Sequence, residues 1–251
     1  MKRNLMELGM GVVAVALMSS GCNTQDPERQ CSVARASSDG SLGSFAATYT
    51  LKEGQDPEAV CAQLESGAVG LQKYFNRDPN APDSVAIRTE RMNELLELYS
   101  SRQDPDSSHE PYALGSLASE LPGADNFCTV PELAPARLEV PASGADPAQS
   151  FAYEWSNLRI YNTPEIPGTQ FVADLRYTEN GCTAEYQVKG IWPVVGCATG
   201  SRPNDDLCDP YPNPEQGRLR GSGINPLFPV KCDPVALICV LTGDVPSPSK
   251  P

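Results

Sequence analysis

Apolar positions change their period along the chain, and each change predicts an element. Val60, Leu64, Ala68, Leu71 and Phe75 recur every three or four residues, the spacing of one helical face. Asp56-Pro57-Glu58 stands just ahead of them. It supplies an aspartate to cap free amides, a proline tolerated at the first helical position and a glutamate at the positive end of the helix dipole. A second helix is expected from Asp83 or Ser84, with Val85, Met92, Leu95, Leu96 and Tyr99 inward and Arg88, Arg91, Glu94 and Glu97 outward. A third, shorter helix is expected over 108–121, stopped by Pro122-Gly123. A short strand at 45–51 precedes all three.

After residue 150 the period falls to two. Phe151, Tyr153 and Trp155 alternate with Ala152, Glu154 and Ser156, the pattern of a half-buried strand. Segments 171–178 and 183–190 repeat it around Asn180-Gly181, a strong signal for a two-residue hairpin turn. Such a turn sets Arg176 across from Glu185 and Asp174 across from Gln187, with the apolar pairs Leu175–Tyr186 and Ala173–Val188 on the other face. Short segments follow near 194–197 and 235–241. The expected fold class is α+β: about three N-terminal helices followed by an antiparallel β-rich half, stapled by disulfides. The boundaries are a mainly helical region over 44–140, a linker or long loop at 141–149 (PASGADPAQ), an antiparallel β region over 150–245 and a disordered tail at 246–251. Pro and Gly number 24 and 20, so loops must be long.

The amino terminus carries an address. Lys2 and Arg3 precede an unbroken apolar run over 10–18. Its length suits a secretory signal core and falls well short of the roughly 20 residues of a spanning helix. Ser19-Ser20-Gly21-Cys22 follows, a small-small-cysteine ending that resembles the lipobox of bacterial lipoproteins, with Ser19 where that family usually has leucine. The resemblance implies a signal peptide at 1–21, a diacylated Cys22 and attachment to an envelope membrane. Two or more acyl chains hold a protein stably where one does so only marginally. Asn23, in place of the aspartate that retains lipoproteins at the inner membrane, implies the outer membrane. Residues 22–43 then read as the lipidated cysteine and a flexible tether, with a root-mean-square span of about 25 Å for a coil of that length. The Pro- and Asp-rich composition is similar to that of uncharacterised envelope lipoproteins of myxobacterial type, a likeness that assigns no activity.

Charge and cysteines narrow the picture. The chain holds 19 basic and 32 acidic residues, a formal charge of −13. Nucleic acid is not an expected partner, because its phosphates would repel such a chain. Setting Cys22 aside for lipid leaves Cys31, Cys61, Cys128, Cys182, Cys197, Cys208, Cys232 and Cys239, an even set in an oxidising compartment. Three precede residue 150 and five follow it, so full pairing demands a bridge between the halves. Cys197 with Cys208 is the expected local pair. No Cys-x-x-Cys occurs and His109 is the single histidine, so neither zinc nor another metal is expected.

Motifs for catalysis are missing: no Gly-x-Ser-x-Gly, no His-Glu-x-x-His and no phosphate loop. No catalytic residue and no cofactor are assigned. Ser-x-x-Lys at 247–250 lies in the terminal tail, and His109 reads as a solvated or capping residue. Glu154, Asp174 and Glu185 fall on the polar faces of neighbouring expected strands. An acid pair about 5–9 Å apart could cleave a glycosidic bond, and the alternative is a water-facing sheet partnered by Arg176 and Lys189. Asp205, Asp206 and Asp209 offer hard oxygens without the spacing of a calcium loop. Tyr153, Trp155, Tyr161 and Trp192 could stack on sugars if exposed, but aromatics at alternate strand positions belong to the core. The expected function is a non-catalytic binding or assembly module. It would be anchored to the membrane by its lipid and engage an envelope protein or glycan in an adhesion, motility or transport complex. A carboxylate-dependent hydrolase of polysaccharide or peptidoglycan is the alternative.

Overall fold

The computed structural model describes residues 29–34, 44–78, 80–102 and 110–247. Cys22 and His109 lie outside them. Strands dominate. β1 (Ser44–Leu51), β2 (Gly67–Tyr74), β3 (Ser84–Thr89) and β4 (Ala113–Ser116) form an antiparallel run. β5 (Phe127–Glu132) and β6 (Ala136–Val140) share one edge of β7 (Gln149–Asn162). β8 (Pro167–Glu179) and β9 (Cys182–Ile191) complete a nine-stranded sheet of order β4-β3-β2-β1-β9-β8-β7-β5, with β6 beside β7. The two ends of this sheet meet. Ala134 donates to the Leu114 carbonyl at 2.8 Å, and Ala118 donates to that of Thr129 at 2.8 Å, so the sheet nearly closes into a barrel. Gly115 permits the seam: a Cβ there would stand 2.4 Å from the Glu132 carbonyl oxygen.

The α+β expectation is therefore corrected to a mainly β protein. Among the described residues α1 (Glu90–Leu98) is the one α-helix. The expected first helix is a turn followed by β2. Asp56 does cap locally, accepting the Glu58 amide at 3.0 Å, but only a single helical turn forms at Val60–Ala62. Val60 is 60% exposed and Phe75 is 71% exposed, so the three-to-four spacing does not describe a buried face. Gly67 and Gly70 weaken a helix, and β2 instead points Val69, Leu71 and Lys73 inward, two residues apart. The second helix begins late. Val85 and Ile87 first alternate along β3, then the Thr89 Oγ1 accepts the Met92 amide at 3.1 Å and starts α1, which buries Met92 and Leu95. Within the third expected helix, the described residues form β4.

The hairpin at Asn180-Gly181 has both turn residues at positive φ and pairs Arg176 with Glu185, Asp174 with Gln187 and Leu175 with Tyr186. Its apolar side faces the barrel interior, which Phe45, Tyr153, Phe171, Tyr177 and Tyr186 fill as a packed core. Gly190 leaves the space for Phe171, whose ring a Cβ would strike at 2.1 Å.

Residues 192–247 pack outside the barrel, on Ala46, Val172 and Ile191, through two short hairpins. These are β10 (Ala198–Thr199) with β11 (Arg202–Pro203), and β12 (Val230–Cys232) with β13 (Cys239–Leu241). The disulfides are Cys31–Cys128, Cys61–Cys182, Cys197–Cys232 and Cys208–Cys239. Cys61–Cys182 joins the two halves. The expected Cys197–Cys208 pair does not form. β12 and β13 set Cys232 and Cys239 directly opposite each other, and each takes one partner from the preceding loop.

Candidate functional site

The three acids singled out from the sequence share an exposed sheet face. Glu154, Arg176 and Glu185 form one row across β7, β8 and β9. Glu154 accepts from Arg176 at 3.0 Å and Arg137 at 3.4 Å. Asp174 accepts from Lys52 at 2.8 Å and from the Asn157 amide at 2.7 Å. Partial burial works against ionisation of Asp174, but Lys52 and Asn157 outweigh it and hold the carboxyl below the usual aspartate range. Lys189, expected beside these acids, pairs instead with Asp244. Glu154 and Asp174 are thus paired with cations on this face.

The other sequence candidates have structural places. Asp205 accepts the Cys232 amide at 2.7 Å, Asn204 receives that of Asp206 at 3.0 Å, and Asp209 binds Arg218 at 3.3 Å. The Asp205 and Asp209 carboxylates therefore brace the disulfide-rich loops. Tyr153 and Trp155 lie in the core, Tyr161 packs edge-on against Phe127, and Trp192 packs against the barrel core.

One end of the barrel is shut. Residues 29–34, inside the stretch expected to be tether, cross it. Cys31 is bonded to Cys128, Ser32 Oγ donates to Asn162 Oδ1 at 2.6 Å, and the Ala34 amide donates to the Gly168 carbonyl at 3.0 Å. Beneath them lies Lys73, only 4% exposed. Its ammonium donates to Asp83 Oδ2 at 2.8 Å, Glu120 Oε2 at 3.0 Å and the Cys31 carbonyl at 3.0 Å. Three donors meet three acceptors. The Lys73 contact, with the Asn76 amide in support, holds the Asp83 carboxyl below its ordinary range despite burial.

The opposite end is built differently. The segment from Gln63 to Ala68 and the start of α1 frame a cavity of about 430 Å³. Tyr49, Tyr153 and Tyr177 line it from strands β1, β7 and β8, and Thr89, Glu90 and Arg91 line it from the β3–α1 junction. Glu65, Glu94 and Glu179 contribute further carboxylates. The Tyr177 hydroxyl donates to Glu179 Oε2 at 2.9 Å, and Tyr186, just beneath, donates to the Cys61 carbonyl at 2.6 Å. Tyr153 is the exception: it is 1% exposed, and its hydroxyl lies beside Thr89 and Tyr177 without a well-aligned hydrogen bond. Thr89 and Tyr177 lie within hydrogen-bonding reach of that hydroxyl and the charges of Arg91 and Glu179 act on it, all four being cavity residues, which places it beneath the cavity floor. Burial pushes it up to about 12, so it stays neutral in water of ordinary pH. A buried hydroxyl without a well-aligned partner costs about 1–3 kcal/mol and calls for an explanation.

A shallower trough of about 820 Å³ runs over the outer face of β1 to β4. Ala68, Gly70 and Ala86 floor it, and Tyr74, Tyr112 and Leu114 stand exposed at its rim. Its lining includes the fully buried Ile87 and two buried polar atoms without a hydrogen-bond partner, Gln72 Oε1 and Arg88 Nε.

Sequence reasoning assigned Tyr153 to the core and did not single out Tyr49, Tyr177, Thr89 or Glu179. The available signal was tyrosine, a residue with a polar end, at inward positions of several strands.

A family model described as MlpA matches residues 43–193, a span that contains all nine barrel strands. The chain is also 31% identical over 256 aligned positions to MlpA of Myxococcus xanthus, a protein whose name designates it a lipoprotein. That alignment covers 98% of this chain and 99% of the relative. No solved structure matches the chain.

Proposed function

Because this chain belongs to the MlpA family, we propose that it is a lipoprotein of the cell envelope, held to a membrane by lipid on Cys22, that works by binding rather than catalysis. The observation that carries the binding role is the half-open cavity above the buried Tyr153 hydroxyl, which has no well-aligned hydrogen bond. A binding protein retains such a group because a ligand completes it. The outer membrane is the proposed address, on the strength of Asn23.

Anchoring gives the cavity its orientation. Residue 29 is already fixed to the barrel, where its guanidinium donates to Asn126 Oδ1 at 2.9 Å. The chain from Cys22 to Arg29 spans at most about 25 Å when fully extended. The shut end, which carries Cys31, therefore lies next to the membrane, and the cavity opens away from it. Of the stretch expected to be tether, residues 29–34 lie against the barrel end. Fixing the protein on a surface raises its effective concentration for ligands or neighbours there. Glu154 and Asp174, each paired with a cation, support this reading over hydrolysis.

Two readouts on protein purified from envelopes test the proposal. Intact mass should show acyl chains on Cys22, and an unmodified N-terminus anywhere beyond residue 22 would refute the anchor. Native mass spectrometry should show a small molecule released from the wild type and lost in Tyr153→Phe. An identical spectrum for both would refute the binding role of the cavity.

A further inference from the structure

We propose that the shut end of the barrel rests on the bilayer that holds the Cys22 lipid, with Phe75, Tyr74 and Leu121 set into its interface. The inference rests on the anchor proposed above and adds a contact surface to it. Phe75, just after β2, is largely exposed, and Tyr74 and Leu121 are nearly half exposed. All three belong to the shut end. Tyr74 pairs with Ser84 at the far end of β2 from the cavity, and Leu121 lies in the connection from β4 to β5. The Lys73 ammonium lies 5.0 Å from the centre of the Phe75 ring and 3.0 Å from both Glu120 Oε2 and the Cys31 carbonyl oxygen. The Cys31 amide in turn donates to the Glu120 carbonyl at 2.8 Å. Phe75 and Leu121 therefore stand beside the segment that leads back to Cys22.

Position decides what covers them. Val60 is similarly exposed at the open end, so exposure alone does not mark a membrane contact. What distinguishes Phe75, Tyr74 and Leu121 is the chain beside them, which reaches the lipidated cysteine within about 25 Å of Arg29. So short a connection holds this end towards the bilayer and raises its effective concentration there. Removing apolar side chains from water is favourable in proportion to the area covered. Phenylalanine and leucine suit the boundary between headgroups and acyl chains, and a tyrosine ring with its hydroxyl suits the headgroup level. The contact is apolar rather than electrostatic. Arg29 and Arg77 are exposed at this end, but so are Asp78, Asp125 and Glu165, and the chain as a whole is acidic. Anionic lipid is therefore not required.

The test is tryptophan fluorescence of the full mature chain, purified from envelopes and reconstituted into phosphatidylcholine vesicles whose acyl chains carry bromine, a contact quencher. Phe75→Trp and Leu121→Trp should each add emission over the wild-type background of Trp155 and Trp192, and the brominated lipid should remove most of it. Val60→Trp, at the open end, should add emission that the lipid leaves untouched. Raising salt or adding phosphatidylglycerol should change neither result. If Phe75→Trp misfolds, Leu121→Trp carries the same test. Protein that fails to float with the vesicles would refute the Cys22 anchor, and this inference with it. Protein that floats while the emission added at both shut-end positions stays unquenched would overturn the contact and leave the anchor standing. Unquenched emission that is nevertheless shifted to the blue would assign the patch to a protein partner, such as a second copy, and would overturn the contact equally. Quenching of Val60→Trp as strong as that of Phe75→Trp would overturn the orientation.

Discussion

The two ends of the barrel solve opposite problems. At the shut end a lysine is buried, and each donor of its ammonium finds an acceptor from Asp83, Glu120 or the Cys31 backbone. At the open end a tyrosine hydroxyl is buried as deeply and finds no well-aligned partner, only the hydroxyls of Thr89 and Tyr177 beside it. A buried charge is the more costly group to leave unpaired, and it is the one that is fully paired. A neutral hydroxyl is cheap enough for a fold to carry unsatisfied, and costly enough to reward a partner that completes it. The difference separates a group that holds the fold together from a group available for function.

Breaking the shut end should give the largest effect. Lys73→Met leaves the Asp83 carboxylate buried without its cation, and breaking such a pair costs about 3–5 kcal/mol. Urea unfolding should show this as a lowered midpoint with an unchanged slope. Replacing both Cys31 and Cys128 by alanine should cost about 2–5 kcal/mol, because that bridge closes a long loop and pins the N-terminal segment over the barrel end.

Acid should attack the same end. The folded carboxyl of Asp83 lies below its ordinary value of 3.8. The unfolded chain therefore takes up the proton first as pH falls. The stabilisation is complete above about pH 4–5 and is lost as pH drops through the folded value. Melting temperature followed between pH 6 and pH 2 should show this limb in the wild type and a flatter one in Asp83→Asn. The outer acid face should respond far less. Glu154→Gln removes contacts that are largely solvent-screened, so its effect on the unfolding midpoint should stay within about 1 kcal/mol.

The same contrast explains what the sequence disclosed. The β7–β9 region was legible down to its register, because Leu175, Tyr177, Tyr186 and Val188 alternate cleanly with polar residues and Asn180-Gly181 fixes the turn. β2 was not. Its inward positions read Val69, Leu71, Lys73, so the lysine breaks the alternation that would have marked a strand. What makes Lys73 a core residue is Asp83 together with Glu120, the latter 47 positions further on, and no local window contains both. Closure of the barrel is equally remote, resting on β4 meeting the residues after β5. The cavity was half legible. Tyr153 was placed in the core correctly, but the lack of a well-aligned partner for its hydroxyl is a property of the assembled interior. The cysteines were legible as a set, while the pairing of Cys197 and Cys208 was decided by β12 and β13 rather than by nearness in sequence.

The smallest expected effect bears most directly on the central claim, that the open end is built for a ligand and not for the fold. The measurement is the urea unfolding free energy of ligand-free Tyr153→Phe against the ligand-free wild type. Removing a hydroxyl that has no well-aligned partner takes away a desolvation cost and no well-aligned hydrogen bond. The account predicts a variant as stable as the wild type, or more stable by up to about 1 kcal/mol. A loss of more than about 1 kcal/mol would show that the hydroxyl makes a contact the fold depends on, and would contradict the claim.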